Sequence, residues 1–177
     1  MGYAMKILAM SIVCGAVVSA QGNVRRPIEG VWKVTEIVVT GAGASSVSNA
    51  QPSLLIFTRT HYSIMYVPGD KPRTLRKAAD PRKAEDASAE EKAAAYDSII
   101  ANAGTYQLEG STITIRPIVS KDPNYMGGGF NTYRFRIDGT TLSLTSKSSD
   151  LNERIGGTVV ASEVPASETR MTLARLE

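Results

Sequence analysis

Apolar and polar side chains alternate along most of this chain, which is the pattern expected of β-strands with one buried face. The first long segment, residues 31–40, is rich in β-branched residues and contains Trp32. Turn residues separate it from similar segments, and Asp138-Gly139 is the strongest short hairpin signal among them. The pattern predicts eight strands, at residues 31–40, 54–58, 61–67, 105–108, 112–116, 132–137, 141–145 and 171–176. Most are in hairpin order, and closure removes the exposed edges of an open sheet, so we predict an all-β, eight-stranded up-and-down antiparallel barrel.

Residues 71–103 interrupt the alternation with a segment rich in Ala, Lys, Glu and Asp, which we interpret as a helical insertion. Ser88 and Glu91 have the spacing of a capping box, in which each side chain accepts a hydrogen bond from the other residue's backbone N–H. Four residues further along recur at i, i+3, i+4 and i+7, as on one face of a helix: Tyr96, Ile99, Ile100 and Ala103. We therefore predict one inserted helix at residues 88–102. The first three residues of its apolar face are candidate contacts of a lid over the barrel.

The first twenty residues differ from the rest of the chain. Lys6 precedes an apolar run at residues 7–18, and Ala20 provides a small residue at a cleavage position. This arrangement is typical of a signal peptide, and the apolar run is too short to span a bilayer comfortably. We predict a signal peptide at residues 1–20 and a domain at residues 21–177 that is secreted or periplasmic, without stable membrane insertion after cleavage. The alternative is a buried N-terminal helix.

Composition excludes several classes of function. The formal net charge is only +3, with both signs mixed, which argues against a nucleic-acid-binding surface. The single cysteine, Cys14, falls within the predicted signal peptide, and His61 is the single histidine, so a disulfide and a histidine-rich metal site are excluded. We recognise no catalytic triad, zinc motif or dinucleotide fingerprint, and we predict neither a metal nor a cofactor. Enzymatic activity and oligomeric state stay open.

Tyrosines are the most informative candidates for a binding site. Several share the strand parity that faces the interior, where they would give a cavity an apolar wall with a few hydroxyl groups. The candidate cavity-lining residues are Tyr62, Ile64, Tyr66, Tyr106, Tyr133 and Phe135. An ordinary barrel core without a ligand is an equally good interpretation, because eight strands can enclose either.

Three segments together resemble the bacterial lipocalin-like domain family. They are the Gly30-Val31-Trp32-Lys33 strand, residues 53–63, and the helix-to-strand segment at residues 96–106, within a resemblance that covers about residues 28–147. The resemblance implies a calycin-type β-barrel whose cavity opens at one end. It also implies that Trp32 packs across the closed end beneath an arginine near the last strand, a structural role that Arg175 would match, with Arg170 as second candidate.

These observations favour an exported protein that binds a small, mostly apolar ligand in the barrel cavity. One alternative is a cofactor-free isomerase or cyclase, which would need Tyr62, Tyr66, Tyr106 or His61 to converge on one point inside the barrel. The other alternative is a structural or protein-binding barrel with a solid core.

Overall fold

The computed structural model describes residues 26–73 and 87–177. The predicted signal peptide at residues 1–20 and the middle of the predicted insertion, residues 74–86, lie outside the described residues. The described elements, in chain order, are β1 (Gly30–Gly41), β2 (Ser45–Val47), β3 (Ser53–Phe57), β4 (His61–Tyr66), α1 (Ala89–Asp97), β5 (Ile100–Glu109), β6 (Thr112–Ser120), β7 (Phe130–Asp138), β8 (Thr141–Lys147), β9 (Leu151–Ile155), β10 (Thr158–Ala161) and β11 (Ser167–Arg175).

Eight of these strands close into an antiparallel barrel, which confirms the predicted fold class. Neighbours pair in the cyclic order β1, β3, β4, β5, β6, β7, β8 and β11. The closure occurs at β1, where Trp32 is opposite Leu55 of β3 on one side and Arg175 of β11 on the other. The remaining strands extend this sheet: β2 pairs with β1, and the β9–β10 hairpin is joined to β7.

The two ends of the barrel are unlike each other. At the end near Trp32 the strands are joined by tight turns, at residues 58–60, 110–111 and 139–140. The connections at the other end are much longer and include α1 and the β9–β10 hairpin; they span residues 42–52, 67–99, 121–129 and 148–166. We call the first end the base and the second end the mouth. Any opening large enough for a ligand therefore has to be sought at the mouth.

The interior of the barrel is apolar towards the base. Ile28, Trp32, Leu55, Leu142 and Leu173 are fully buried there, as expected for the inward positions of alternating strands. The Trp32 Nε1–H group donates a hydrogen bond of 2.9 Å to the backbone oxygen of Ile28. This contact satisfies the one polar atom of the indole, so the ring is buried without leaving an N–H group unpaired.

A β-bulge shapes the pairing of β5 with β6. The register shifts between Ala103 and Gly104, and a Cβ atom at Gly104 would overlap the backbone oxygen of Arg116 and lie 2.8 Å from the nitrogen of Ile118. Only glycine permits this approach of the two backbones. Gly104 is opposite Tyr62 of β4, so the bulge lies beside one of the candidate site residues.

The predicted helix at residues 88–102 is too long. The capping box of Ser88 and Glu91 forms, but α1 ends at Asp97, and residues from Ile100 onwards belong to β5. Ile100 and Asn102 are opposite Tyr66 and Ile64 of β4, so pairing with an existing strand replaces the last helical turn. The helical spacing of the apolar residues was therefore misleading. The β9–β10 hairpin was not predicted at all.

Candidate functional site

All six predicted cavity-lining residues belong to the interior of the barrel. Tyr62, Ile64 and Tyr106 are buried core residues. The other three are half-buried and pack against that core: Tyr66, Tyr133 and Phe135. The six side chains therefore face the interior, as the alternation of the strands predicts. The hydroxyl groups of the tyrosines differ in whether they have a hydrogen-bond partner.

The base is sealed by Trp32 and Arg175, which the structure brings together. The Arg175 guanidinium carbon lies 4.0 Å from the centre of the Trp32 ring, the geometry of a cation–π contact. The same guanidinium donates hydrogen bonds to the backbone oxygens of Pro27 (2.6 Å) and Glu29 (2.8 Å). Arg170, the second candidate, is exposed. Arg175 therefore ties the segment before β1 across the base.

Tyr106 belongs to the base as well. Its hydroxyl donates a hydrogen bond of 2.6 Å to the backbone oxygen of Thr58 in the turn after β3. Its ring meets Phe57 edge to face, with 5.6 Å between ring centres. Because its hydroxyl already has a partner in the base, Tyr106 does not offer that group to the interior.

A cluster of polar side chains lies in the other half of the interior. Tyr133 accepts a hydrogen bond of 2.9 Å from the Asn131 side-chain amide. In contrast, the hydroxyl groups of Tyr62 and Tyr125 and the side-chain oxygen of Asn102 are buried and have no hydrogen-bond partner among the described residues. Buried polar atoms of this kind are uncommon in folded proteins, so this cluster is the most unusual feature of the interior.

Burial also controls the ionisation of these tyrosines. It raises the pKa of Tyr62, Tyr66, Tyr125 and Tyr133, and the nearby Tyr133 raises the pKa of Tyr62 and of Tyr125 further. The hydroxyl groups are therefore neutral at physiological pH. Each can both donate and accept a hydrogen bond.

The sequence did not assign Tyr125 to the site. It lies in the connection at residues 121–129, between β6 and β7. In the structure a short 3-10 helix at Pro123–Tyr125 buries Tyr125, and the N-terminus of that helix is capped by the Asp122 carboxylate. The signal that could have found it is Asp122-Pro123, a helix start placed just before an aromatic residue.

The connection that carries Tyr125 is held against β9. The Arg154 guanidinium donates a hydrogen bond of 2.8 Å to the backbone oxygen of Gly127. At Gly129 a Cβ atom would lie only 2.8 Å from the backbone oxygen of Tyr125 and 2.9 Å from that of Asn152, so a larger residue would push the two segments apart. The unpredicted β9–β10 hairpin thus supports one residue of the candidate site.

The structure does not place the three predicted lid residues on one helical face. Tyr96, on α1, donates a hydrogen bond of 2.9 Å to the backbone oxygen of Lys121, whose ammonium group lies 4.3 Å from the centre of its ring. Ile99 follows α1 and lines a cavity at the rim, whereas Ile100 is the first residue of β5. Tyr96 therefore attaches α1 to the residue after β6, and Ile99 borders the rim cavity.

That cavity has a volume of about 550 Å³ and lies at the rim of the mouth, against the outer face of the start of β3 and the end of β4, where Leu54 and Met65 are exposed. Its apolar wall includes Pro52, Leu54, Met65, Val67 and Ile99. Tyr66 lines it too and also packs against the barrel core. A second cavity, of about 710 Å³, lies between α1 and residues 67–73 and has several charged residues in its lining: Lys71, Arg73, Glu90, Glu91 and Lys92. The rim cavity is the more suitable of the two for an apolar molecule.

Other chemistry has little support in the described parts of the chain. His61 is exposed on β4, with its Nδ1 atom 2.9 Å from the Thr60 hydroxyl oxygen, and so does not join the interior tyrosines. Over residues 26–73 and 87–177, no group of three or more His, Cys, Asp or Glu residues could hold a metal ion. The helix described here is not long and apolar enough to cross a membrane.

A family model described as a lipocalin-like domain matches residues 29–163, well over half of the chain. The matched range begins just before β1 and ends before β11, the strand that closes the barrel in the structure. No curated protein matches the chain.

Proposed function

Because the chain belongs to the lipocalin-like domain family, we propose that it is an exported protein that binds a small, mostly apolar molecule through the mouth of its barrel. Export follows from the signal-peptide pattern of residues 1–20. The mature protein would act in the periplasm or outside the cell as a soluble carrier, with a small hydrophobic molecule as its partner. Cleavage would leave Gln21 as the first residue, which N-terminal sequencing of the exported protein can check.

The observation that carries the binding proposal is the rim cavity. Its volume of about 550 Å³ is in the range of ligand pockets, about 300–1,000 Å³. Its walls are mainly apolar, and Tyr66 joins it to the interior of the barrel. A molecule entering at the rim would therefore replace water next to apolar side chains, which is the favourable term in binding such ligands.

The asymmetry of the barrel supports entry at the mouth. Trp32 and Arg175 occupy the base, and the Tyr106 hydroxyl is bound to the turn beside them. A ligand could enter from that side only if these contacts were broken. The mouth, by contrast, is formed by long connections, the part of a fold in which binding residues are most often found.

The proposal is tested with diphenylhexatriene, a hydrocarbon probe whose fluorescence rises in apolar surroundings. Met65 lines the rim cavity and is 47% exposed, so Met65→Arg adds a charge to the cavity wall without burying it in the core. Ile118 on β6 is 64% exposed and provides the matched control, Ile118→Arg. We expect saturable binding to the wild type, at least about tenfold weaker binding to Met65→Arg and no change for Ile118→Arg. Failure of the wild type to bind this probe would favour the alternative of a solid structural barrel.

The alternative of a cofactor-free isomerase or cyclase gains no support from the site. It required several groups to converge on one point, yet His61 is exposed on the outside and the Tyr106 hydroxyl is bound to Thr58. Of the four candidate groups, Tyr62 and Tyr66 remain in the half of the interior towards the mouth. Burial raises the pKa of both, which disfavours loss of the proton from either hydroxyl.

A further inference from the structure

We propose that Tyr62 and Tyr125 form a polar subsite inside the barrel that receives an uncharged hydrogen-bonding group of the ligand, a carbonyl or hydroxyl oxygen, and discriminates against a carboxylate. This inference rests on the proposed function, since it specifies the head group of the molecule that the barrel binds. The apolar part of the same molecule would extend from there towards the rim, past Tyr66, which packs against the core and also borders the rim cavity.

Both hydroxyl groups have unsatisfied hydrogen-bonding capacity. Tyr62 is 3% exposed and Tyr125 is 8% exposed, and neither hydroxyl has a hydrogen-bond partner among the described residues. A phenylalanine at either position would fill nearly the same space without the cost of burying an unpaired hydroxyl. Two such groups on separate elements, β4 and the connection at residues 121–129, indicate a polar group that both can reach.

The two unpaired hydroxyl groups also lie near each other. Burial is the main cause that raises the pKa of Tyr125, and Tyr133 and Tyr62 raise it further because both lie close enough to interact with it. Asn102, on β5, adds a third buried oxygen without a partner and is opposite Ile64 in the β4–β5 register. The Tyr133 hydroxyl is already held by the Asn131 amide. The unpaired hydroxyls of Tyr62 and Tyr125 therefore belong to one region rather than to two isolated defects.

The charged side chains around the barrel also bear on which head group the two tyrosines would accept. Arg134 and Arg136 on β7 are largely exposed, and Arg175 is at the base, bound to backbone oxygens. Glu153 on β9 places a negative charge near Tyr125. After burial and the neighbouring tyrosines, that charge is a further cause of the raised pKa of Tyr125. A carboxylate placed between the tyrosines would be removed from water and would face a negative charge, whereas a neutral oxygen would accept hydrogen bonds without that cost.

The test is displacement of diphenylhexatriene by molecules that share one alkyl chain and differ in the head group. 1-Dodecanol and 2-dodecanone represent the uncharged class, and dodecanoic acid at pH 8 represents the carboxylate. We expect the alcohol and the ketone to displace the probe at concentrations at least about tenfold lower than the acid. Equal displacement by all three would overturn the subsite while leaving the proposed function in place.

Two variants identify the residues responsible. Tyr62→Phe and Tyr125→Phe should each weaken binding of 1-dodecanol and 2-dodecanone by about fivefold to tenfold, the loss expected for one hydrogen bond. The loss is expressed relative to binding of the hydrocarbon probe by the same variant, because that probe has no polar group to meet either hydroxyl. If the head-group preference survives in both variants, the hydroxyl groups do not contact the ligand and the inference is wrong.

Tyr106→Phe is the matched control, since it removes a buried hydroxyl whose partner is Thr58 at the base. We expect it to lower the unfolding midpoint and to leave the head-group preference unchanged. The two site variants should show the reverse, with an unchanged or higher midpoint in the absence of ligand. If the wild type binds no probe at all, the proposed function fails, and the subsite with it.

Discussion

Arg175→Met tests how the base of the barrel is held. The substitution removes the guanidinium and keeps much of the aliphatic stem over Trp32. In the structure that guanidinium lies 4.0 Å from the indole and donates to the backbone oxygens of Pro27 and Glu29. The variant therefore loses three interactions that join β11, β1 and the segment before β1.

The size of the effect follows from those interactions. A hydrogen bond from a charged donor contributes about 1.5–3 kcal/mol, and a cation–π contact about 0.5–2 kcal/mol. Arg175 is only half-buried, so water replaces part of what is lost, and we expect the free energy of unfolding to fall by about 3 kcal/mol. With a urea dependence of about 2–3 kcal/mol per molar for a chain of this size, the midpoint should fall by about 1 M or more.

Fluorescence of Trp32 provides the assay. It is the single tryptophan of the sequence and is 0% exposed, so its emission reports directly on the base. Arg175→Lys, which keeps the charge but lacks the planar fork that reaches two oxygens, should fall between wild type and Arg175→Met. Arg170→Met is the control on the outer surface, with an expected change within about 0.5 kcal/mol. If the Arg170 and Arg175 variants unfold at the same urea concentration, the base is not held in this way.

Two further predictions concern the interior. Gly104→Ala should lower the free energy of unfolding by about 3 kcal/mol or more in urea titrations, because its Cβ would meet the backbone of β6. Gly139→Ala has open space but a φ of +57°, so it should cost only about 1–2 kcal/mol for that backbone conformation; equal losses would contradict the close approach. Because burial holds the pKa of Tyr62 and Tyr125 above the ordinary value of 10.0, the native state keeps protons that the unfolded chain releases, so stability is present below pH 10 and falls as the pH rises above it. Each tyrosine should add about 1.4 kcal/mol per pH unit to that fall, measured by circular dichroism between pH 9 and 11. The double Phe variant should show a shallower decline, and parallel profiles would rule the explanation out.

The strands of the barrel wall could be predicted because their inward positions are apolar. In β8, Leu142 and Leu144 are buried between polar neighbours, and the strand was predicted within two residues of its observed end. β10 could not be found in this way, because all four of its residues are exposed and no alternation arises. The hairpin exists because β9 pairs with the start of β7, a contact between segments that are distant in the sequence.

The start of β5 was missed for a different reason. Its inward positions near the mouth are Asn102 and Gly104, neither of which gives the apolar signal of a buried strand. Gly104 is there because the bulge leaves no room for a side chain, and Asn102 belongs to the polar cluster. The strand pattern thus failed where inward positions are occupied by a glycine at a bulge and by a polar side chain instead of apolar core residues. Strained or functional positions are where such failures are expected.

Tyr62 and Tyr106 show which part of the site no sequence pattern could provide. Both are inward tyrosines on barrel strands, and from the sequence they are equivalent candidates. They differ only because the backbone of Thr58 turns towards the Tyr106 hydroxyl, whereas nothing in the described chain reaches that of Tyr62. A hydroxyl with a partner stabilises the base, and a buried hydroxyl without one costs stability unless a ligand completes it. The search for function in this barrel therefore turns on the unpaired hydroxyls rather than on tyrosines as a class, and the opposite responses expected of Tyr62→Phe and Tyr106→Phe make that distinction measurable.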